Sequence, residues 1–138
     1  MNLERCCRIG IMHWRWHFSL LKRADGSFQY LKTRAGFVLA GMEGIRYHKN
    51  ELQLSPGDKL YLYTDGVTEA INPQQELYGD NRLLAALNRN TETDPQAICA
   101  AVKADVDAFA GEAEQFDDIT MLCISYAGEQ PAISEETV

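Results

Sequence analysis

The chain has 138 residues, 46% of them apolar and 24% charged, with 10 Gly and 4 Pro, a composition of one globular domain that excludes disordered, collagenous and coiled-coil readings. Its net charge of −7 is divided unevenly: residues 1–50 hold nine Lys and Arg against three acids (+6), and residues 51–138 hold four against seventeen (−13). So acidic a second half repels a phosphate backbone, so no nucleic-acid partner is expected and a hard cation is the better match for its carboxylates.

Residues 1–17, MNLERCCRIGIMHWRWH, show no clean helical or strand period. HFSLLKR and SFQYLKT then flank Ala24, Asp25 and Gly26, which predicts a β-hairpin. A Gly-containing loop from Ala35 to Gly44 leads to ELQLSPGDKLYLYTDG. There Ser55, Pro56, Gly57 and Asp58 form a turn, and Leu60 and Leu62 alternate with Tyr61 and Tyr63 in a strand ending at Thr64. From Asp80 the period becomes helical, with Leu83, Leu84 and Leu87 on one face, until the polar run from Asn88 to Thr93. A second helix opens with Asp94 as N-cap and Pro95 at its first position, carries the stripe Ile98, Val102, Val106 and Phe109, and stops at Gly111. Cys99 is expected near its buried face. After the acidic loop GEAEQFDD, the β-branched and apolar run ITMLCISY predicts a well-buried strand, and AGEQPAISEETV is a polar tail expected to fray.

The longest nearly apolar stretch, Gly36 to Met42, is far short of the ~20 residues a bilayer requires, and no apolar run follows Arg5 and Arg8 as in a secretory leader. No membrane partner is expected. The four cysteines, Cys6, Cys7, Cys99 and Cys123, lack a CxxC spacing and the density of a disulfide-stapled domain, which points to a reducing, cytoplasmic compartment. Cys6 and Cys7 with His13 and His17 are a poor zinc set, because adjacent cysteines chelate one tetrahedral ion badly. Lys22, Arg23, Lys32 and Arg34 on the hairpin are expected to be a solvated face rather than a phosphate contact.

Two acidic motifs carry the chemistry: Tyr63-Thr64-Asp65-Gly66-Val67-Thr68-Glu69 at the exit of one strand, and Phe116-Asp117-Asp118-Ile119-Thr120 at the entrance of another. If these strands pair antiparallel, Asp65 and Asp117 fall at the same sheet edge, where two carboxylates make half of a metal site. Gly66 lets the backbone approach an ion or its water, since no Cβ intervenes. Both strands are expected to be central, because LYLY and ITMLCI are too apolar to be left half exposed. The plain alternative is a turn at Asp65-Gly66 and a solvated loop at Asp117-Asp118. A haloacid-dehalogenase phosphatase is excluded because Tyr63 stands where its nucleophilic Asp belongs, and an EF-hand fails for want of ligands at alternate positions.

LSPGDKLYLYTDGVTEAINPQQELYGDNRLLAAL, followed after a helix by FDDITMLCISY, resembles the C-terminal part of the metal-dependent protein phosphatase 2C superfamily, in its bacterial sporulation and stress-response branch (stage II sporulation protein E-like). The resemblance covers about residues 36–126, and the hairpin at 18–33 fits more loosely. It implies an α+β fold, an antiparallel β-sandwich flanked by helices, with residues 1–17 an atypical N-terminal segment, 18–126 the phosphatase-like portion and 127–138 a tail. It also implies a pair of Mn²⁺ or Mg²⁺ ions that hold and acidify a water attacking phosphoserine or phosphothreonine, with no covalent enzyme intermediate. Asp65 and Asp117 match metal ligands, Asp118 is a neighbouring acid, and Gly66 and Glu69 are lesser candidates.

The departures are equally specific. The family's N-terminal acidic motif with the aspartate bridging the two metals, its Asp-x-Ser-Gly-Lys-Gly element and its Asn-Ala-Gly-His element do not occur, and CCRIGIMHWRWH stands in place of the last. Asp25 and Asp58 sit in turn contexts and are not assigned the bridging role. The chain therefore looks like an incomplete version of the domain. Three functions follow: a protein serine/threonine phosphatase acting on a phosphorylated regulatory protein such as an anti-sigma-factor antagonist; a non-catalytic remnant or regulatory interaction module with an incomplete metal site; or a binding domain whose acidic loops are only surface. The expected partners are a phosphoprotein substrate, an upstream sensor or receiver domain, and a second copy through exposed strand edges.

Overall fold

The computed structural model describes residues 7–11, 19–32 and 50–128. The expectations for Gly36 to Met42, Cys6, His13, His17, Arg34 and the end of the tail lie outside the described residues. The elements follow in the order β1 (Cys7–Ile11), β2 (Ser19–Lys22), β3 (Phe28–Tyr30), β4 (Asn50–Leu54), β5 (Lys59–Tyr63), α1 (Asp65–Thr68), α2 (Gly79–Arg89), α3 (Pro95–Ala110) and β6 (Met121–Ser125). Strands β1 and β4 pair antiparallel as a two-stranded ribbon, and the others form a four-stranded antiparallel sheet in the order β3-β2-β5-β6.

The expected hairpin forms, with Leu20 opposite Tyr30 and Lys22 opposite Phe28. Strand β5 lies inside the sheet, between β2 and β6. Its alternation sends Tyr61 and Tyr63 to the helical side, where they join one buried cluster with Leu83 and Leu87 of α2 and Ile98, Val102 and Val106 of α3. The helices thus bury the stripes that their spacing predicts. Helix α3 begins as expected: the Asp94 carboxylate accepts from the Ala97 N–H at 2.9 Å, and Pro95 occupies the first turn, where a missing N–H is harmless. Helix α2 is held to the sheet by Asp80, whose carboxylate accepts from the Tyr63 hydroxyl at 3.1 Å and whose carbonyl accepts from the Tyr30 hydroxyl at 2.9 Å. Burial pushes the Tyr30 phenol up to about 12, so it stays protonated as a donor.

The start of β5 is organised by a buried carboxylate. Asp58, 1% exposed, accepts at Oδ2 from the Ser55 N–H (2.9 Å) and from Arg23 Nη1 (2.6 Å), and at Oδ1 from the Ala24 N–H (3.0 Å). Burial alone would raise its pKa, but the Ser55 N–H, the Arg23 guanidinium and the Ala24 N–H together hold it below the usual carboxylate range. Arg23 also donates to the Gln53 carbonyl at 2.9 Å. This corrects the reading of Arg23 as only part of a solvated face: it ties the hairpin to the turn before β5.

Strand β6 departs from expectation. It pairs antiparallel with β5, but it is the edge of the four-stranded sheet among the described residues, and none of its five residues is fully buried. Met121 and Cys123 pack against the helical core, whereas Leu122 is 52% exposed. The apolarity of ITMLCI reflects a demand for cover on both faces. The described residues meet it on one face only, which is why composition overestimated burial. Burial pushes the Cys99 thiol of α3 up and the Cys123 thiol of β6 up to about 11, which favours the protonated thiol in both. Among the described residues, no helix is long and apolar enough to cross a membrane.

Candidate functional site

The β5–β6 register determines what meets at the end of the sheet. Tyr63 lies opposite Met121, so the chain leaving β5 and the chain entering β6 run side by side. Thr64 fastens them. Its N–H donates to the Thr120 carbonyl at 3.0 Å, its hydroxyl donates to the Asp118 carbonyl at 3.1 Å, and Thr64 Oγ1 in turn accepts from the Thr120 N–H at 3.1 Å. Asp65, Asp117 and Asp118 therefore occupy one end of the sheet, with Asp65 half-buried and the other two exposed.

The Asp-Gly motif is not a plain turn. Asp65 opens the one-turn helix α1, in which the Val67 N–H donates to the Thr64 carbonyl (3.1 Å) and the Glu69 N–H to the Asp65 carbonyl (2.8 Å). Val67 fills the core with no exposed surface, which anchors the turn. Gly66 is buried against the second motif: a Cβ built on it would lie 2.3 Å from the Asp118 carbonyl oxygen and 2.9 Å from its carbon. The absent side chain thus admits the Asp118 backbone. The nearer cause of the glycine is this contact between motifs.

Asp117 is partly engaged locally, its Oδ1 accepting from the Asp118 N–H at 2.7 Å while its carbonyl accepts from Gln115 Nε2 at 2.9 Å. Asp58 sits at the start of β5 and Asp65 just past its end, so Asp58 cannot join Asp65 as a bridging ligand. Asp25 is exposed in the β2–β3 turn, against which the Asp58 turn packs. Among the described residues, no three Asp, Glu, His or Cys side chains converge on a point that could hold a metal ion. Asp65, Asp117 and Asp118 fit as individual oxygen donors to a hard cation, but the described residues do not by themselves fit a pair of ions, each of which takes about six oxygens.

Next to this end of the sheet lies a cleft of about 240 Å³, bounded by Gly66 and Glu69, by the C-terminal end of α3, and by Phe116, Asp117 and Ile119. Its wall at Ala70 and Ile71 belongs to a tight loop built around Asn72. The Asn72 side-chain oxygen accepts from the Gln74 and Glu76 N–H groups at 3.0 and 2.9 Å, and Gln75 adopts φ 63°. Neither Thr64 nor Asn72 stands out as functional in the sequence. The only available signal for Thr64 is its place between a strand and Asp-Gly.

The family model described as stage II sporulation protein E (SpoIIE) matches residues 16–127. Protein IcfG of Synechocystis sp. is 36% identical over 101 residues, which is 73% of this chain and 16% of that protein. The phosphatase domain of the cell fate determinant SpoIIE from Bacillus subtilis superposes with a TM-score of 0.64 at 18% identity, over 94% of this chain and 56% of that one. The SiaA-PP2C domain of Pseudomonas aeruginosa superposes with a TM-score of 0.62 at 28% identity, over 80% of this chain and 43% of that one. The chain thus spans about half of these solved domains and a sixth of the curated relative. Its fold is the protein phosphatase 2C-like α+β fold, present in part.

Proposed function

This chain belongs to the stage II sporulation protein E family of protein phosphatase 2C-like domains, and we propose on that footing that it forms the C-terminal portion of a metal-dependent protein serine/threonine phosphatase. The substrate in this reading is a phosphorylated regulatory protein, such as an anti-sigma-factor antagonist, in a bacterial cytoplasm. The observation that supports it is the juxtaposition of Asp65 with Asp117 and Asp118 through the β5–β6 register and the Thr64 clamp. Two hard cations in a complete site supply an acidified water and neutralise phosphoryl oxygens. This chain's part is to present carboxylates at the sheet end and to hold the two loops together through Thr64 and the Gly66–Asp118 contact. Further oxygen donors then have to come from outside the described residues. The runner-up, a regulatory interaction module with an incomplete metal site, keeps the same scaffold.

Mn²⁺ titration of the purified chain tests the ligand assignment. Weak binding is expected, and Asp65→Asn or Asp117→Asn should weaken it further by about tenfold or more, whereas Asp25→Asn at the other end of the sheet should leave it unchanged. Binding equally insensitive to all three substitutions would remove Asp65 and Asp117 from the ligand set.

A further inference from the structure

The cleft beside Asp117 has properties that the metal chemistry does not require. Its floor is apolar, formed by Ile71, Val106 and Ile119, and its rim carries the carboxylates of Glu69, Glu114 and Asp117. A fourth acid, Asp107, is already paired with Lys103 at 2.5 Å, and no Lys or Arg is among the described residues that line the cleft. Phe116 stands 77% exposed between this cleft and a second hollow that shares Glu114 and adds Glu112 to the same acidic surface. The volume, about 240 Å³, is below the roughly 300–1,000 Å³ of pockets that enclose a whole small-molecule ligand. It suits a single large side chain inserted from a longer segment.

We propose that this cleft docks a segment of a partner protein in which one large apolar side chain is flanked by Lys or Arg. The apolar side chain enters between Val106 and Ile119 and meets Phe116, an aromatic of the kind that anchors interfaces. The flanking cations face Glu69 and Glu114, and this charge complementarity selects a basic segment over an acidic one. In the phosphatase reading the segment belongs to the phosphoprotein substrate and runs past Asp117. The docking itself requires neither metal nor turnover, so it is measured apart from that reading.

The test is fluorescence anisotropy of the full chain, in EDTA, with a labelled peptide of Arg, Ser and one central Leu, beside a matched peptide with Glu in place of every Arg. Only the basic peptide should bind, and more weakly at high salt, where screening shortens the reach of the rim charges. The double variant Glu69→Lys with Glu114→Lys should weaken binding about tenfold or more, and Phe116→Ala about fivefold, all three positions being exposed and so tolerant of change. Circular dichroism checks that each variant is folded. Absence of binding by the basic peptide, equal binding of both peptides, or binding unchanged in the double variant and in Phe116→Ala would overturn the proposal. Absence of docking with Mn²⁺ binding that depends on Asp65 and Asp117 would reject the docking and leave the catalytic reading in place, and docking with Mn²⁺ binding indifferent to Asp65→Asn and Asp117→Asn would do the reverse.

Discussion

Replacing Gly66 by Ala is expected to destabilise the fold by about 3 kcal/mol, the upper part of the range for overpacking a filled site. The new methyl would lie 2.3 Å from the Asp118 carbonyl oxygen, and that neighbour is backbone rather than the free end of a flexible side chain. Relief therefore requires α1 and the Asp117–Asp118 loop to part, which strains the Thr64 hydrogen bonds to Asp118 and Thr120. Gly26→Ala is the matched control: its nearest neighbour would be the Arg23 Cβ at 3.8 Å, an ordinary contact, and its effect should stay within about 0.5 kcal/mol. Urea unfolding of the two variants measures the difference, and hydrogen exchange at the Thr120 N–H reports whether the clamp has loosened. Equal midpoints would show that the two motifs do not pack as described.

A comparable loss is expected from Asp58→Asn, at the other end of β5. The amide retains one acceptor, where the carboxylate served two N–H groups and a guanidinium, and it brings a donor into a 1% exposed site already crowded with donors. Leaving such groups buried and unsatisfied costs about 3 kcal/mol. The pH dependence follows from the lowered folded pKa of Asp58. The stabilisation is fully present above the unfolded carboxyl pKa of about 3.9 and is lost as pH falls through the lower folded value. The stability gap between the native chain and Asp58→Asn should therefore be constant above about pH 5 and shrink below pH 4. A gap that widened on acidification would contradict the assigned hydrogen bonds.

These two sites mark where local pattern stops being informative. The hairpin, β5, α2 and the Asp94-capped α3 are visible in sequence because each depends on periodicity or on a cap only three residues long. The joining of Asp65 to Asp117 and Asp118 is visible for a related reason, since antiparallel pairing of two recognisable strands leaves one choice of shared end. Asp58 is legible only as a turn residue, because its partners at Ala24 and Arg23 lie 34 and 35 positions away. Helix α1 has no helical signature, as Asp-Gly favours turns. It forms because Val67 is buried and Gly66 accepts the Asp118 backbone. The edge position of β6 is likewise hidden, since apolar content reports how much surface needs cover and not which strand supplies it.

In the proposed phosphatase, Asp65 works beside ligands that lie outside the described residues. Phosphate release from a phosphoserine peptide in Mn²⁺ tests this. Two proteins are compared, the 138-residue chain and a fusion placing the N-terminal half of a related phosphatase domain, with its acidic motif, ahead of it, each with and without Asp65→Asn. Release near background is expected from the chain alone, with turnover in the fusion and its loss in the fused Asp65→Asn variant. Robust turnover by the chain alone that disappears with Asp65→Asn, or fusion activity indifferent to that substitution, would rule out a shared site built on Asp65.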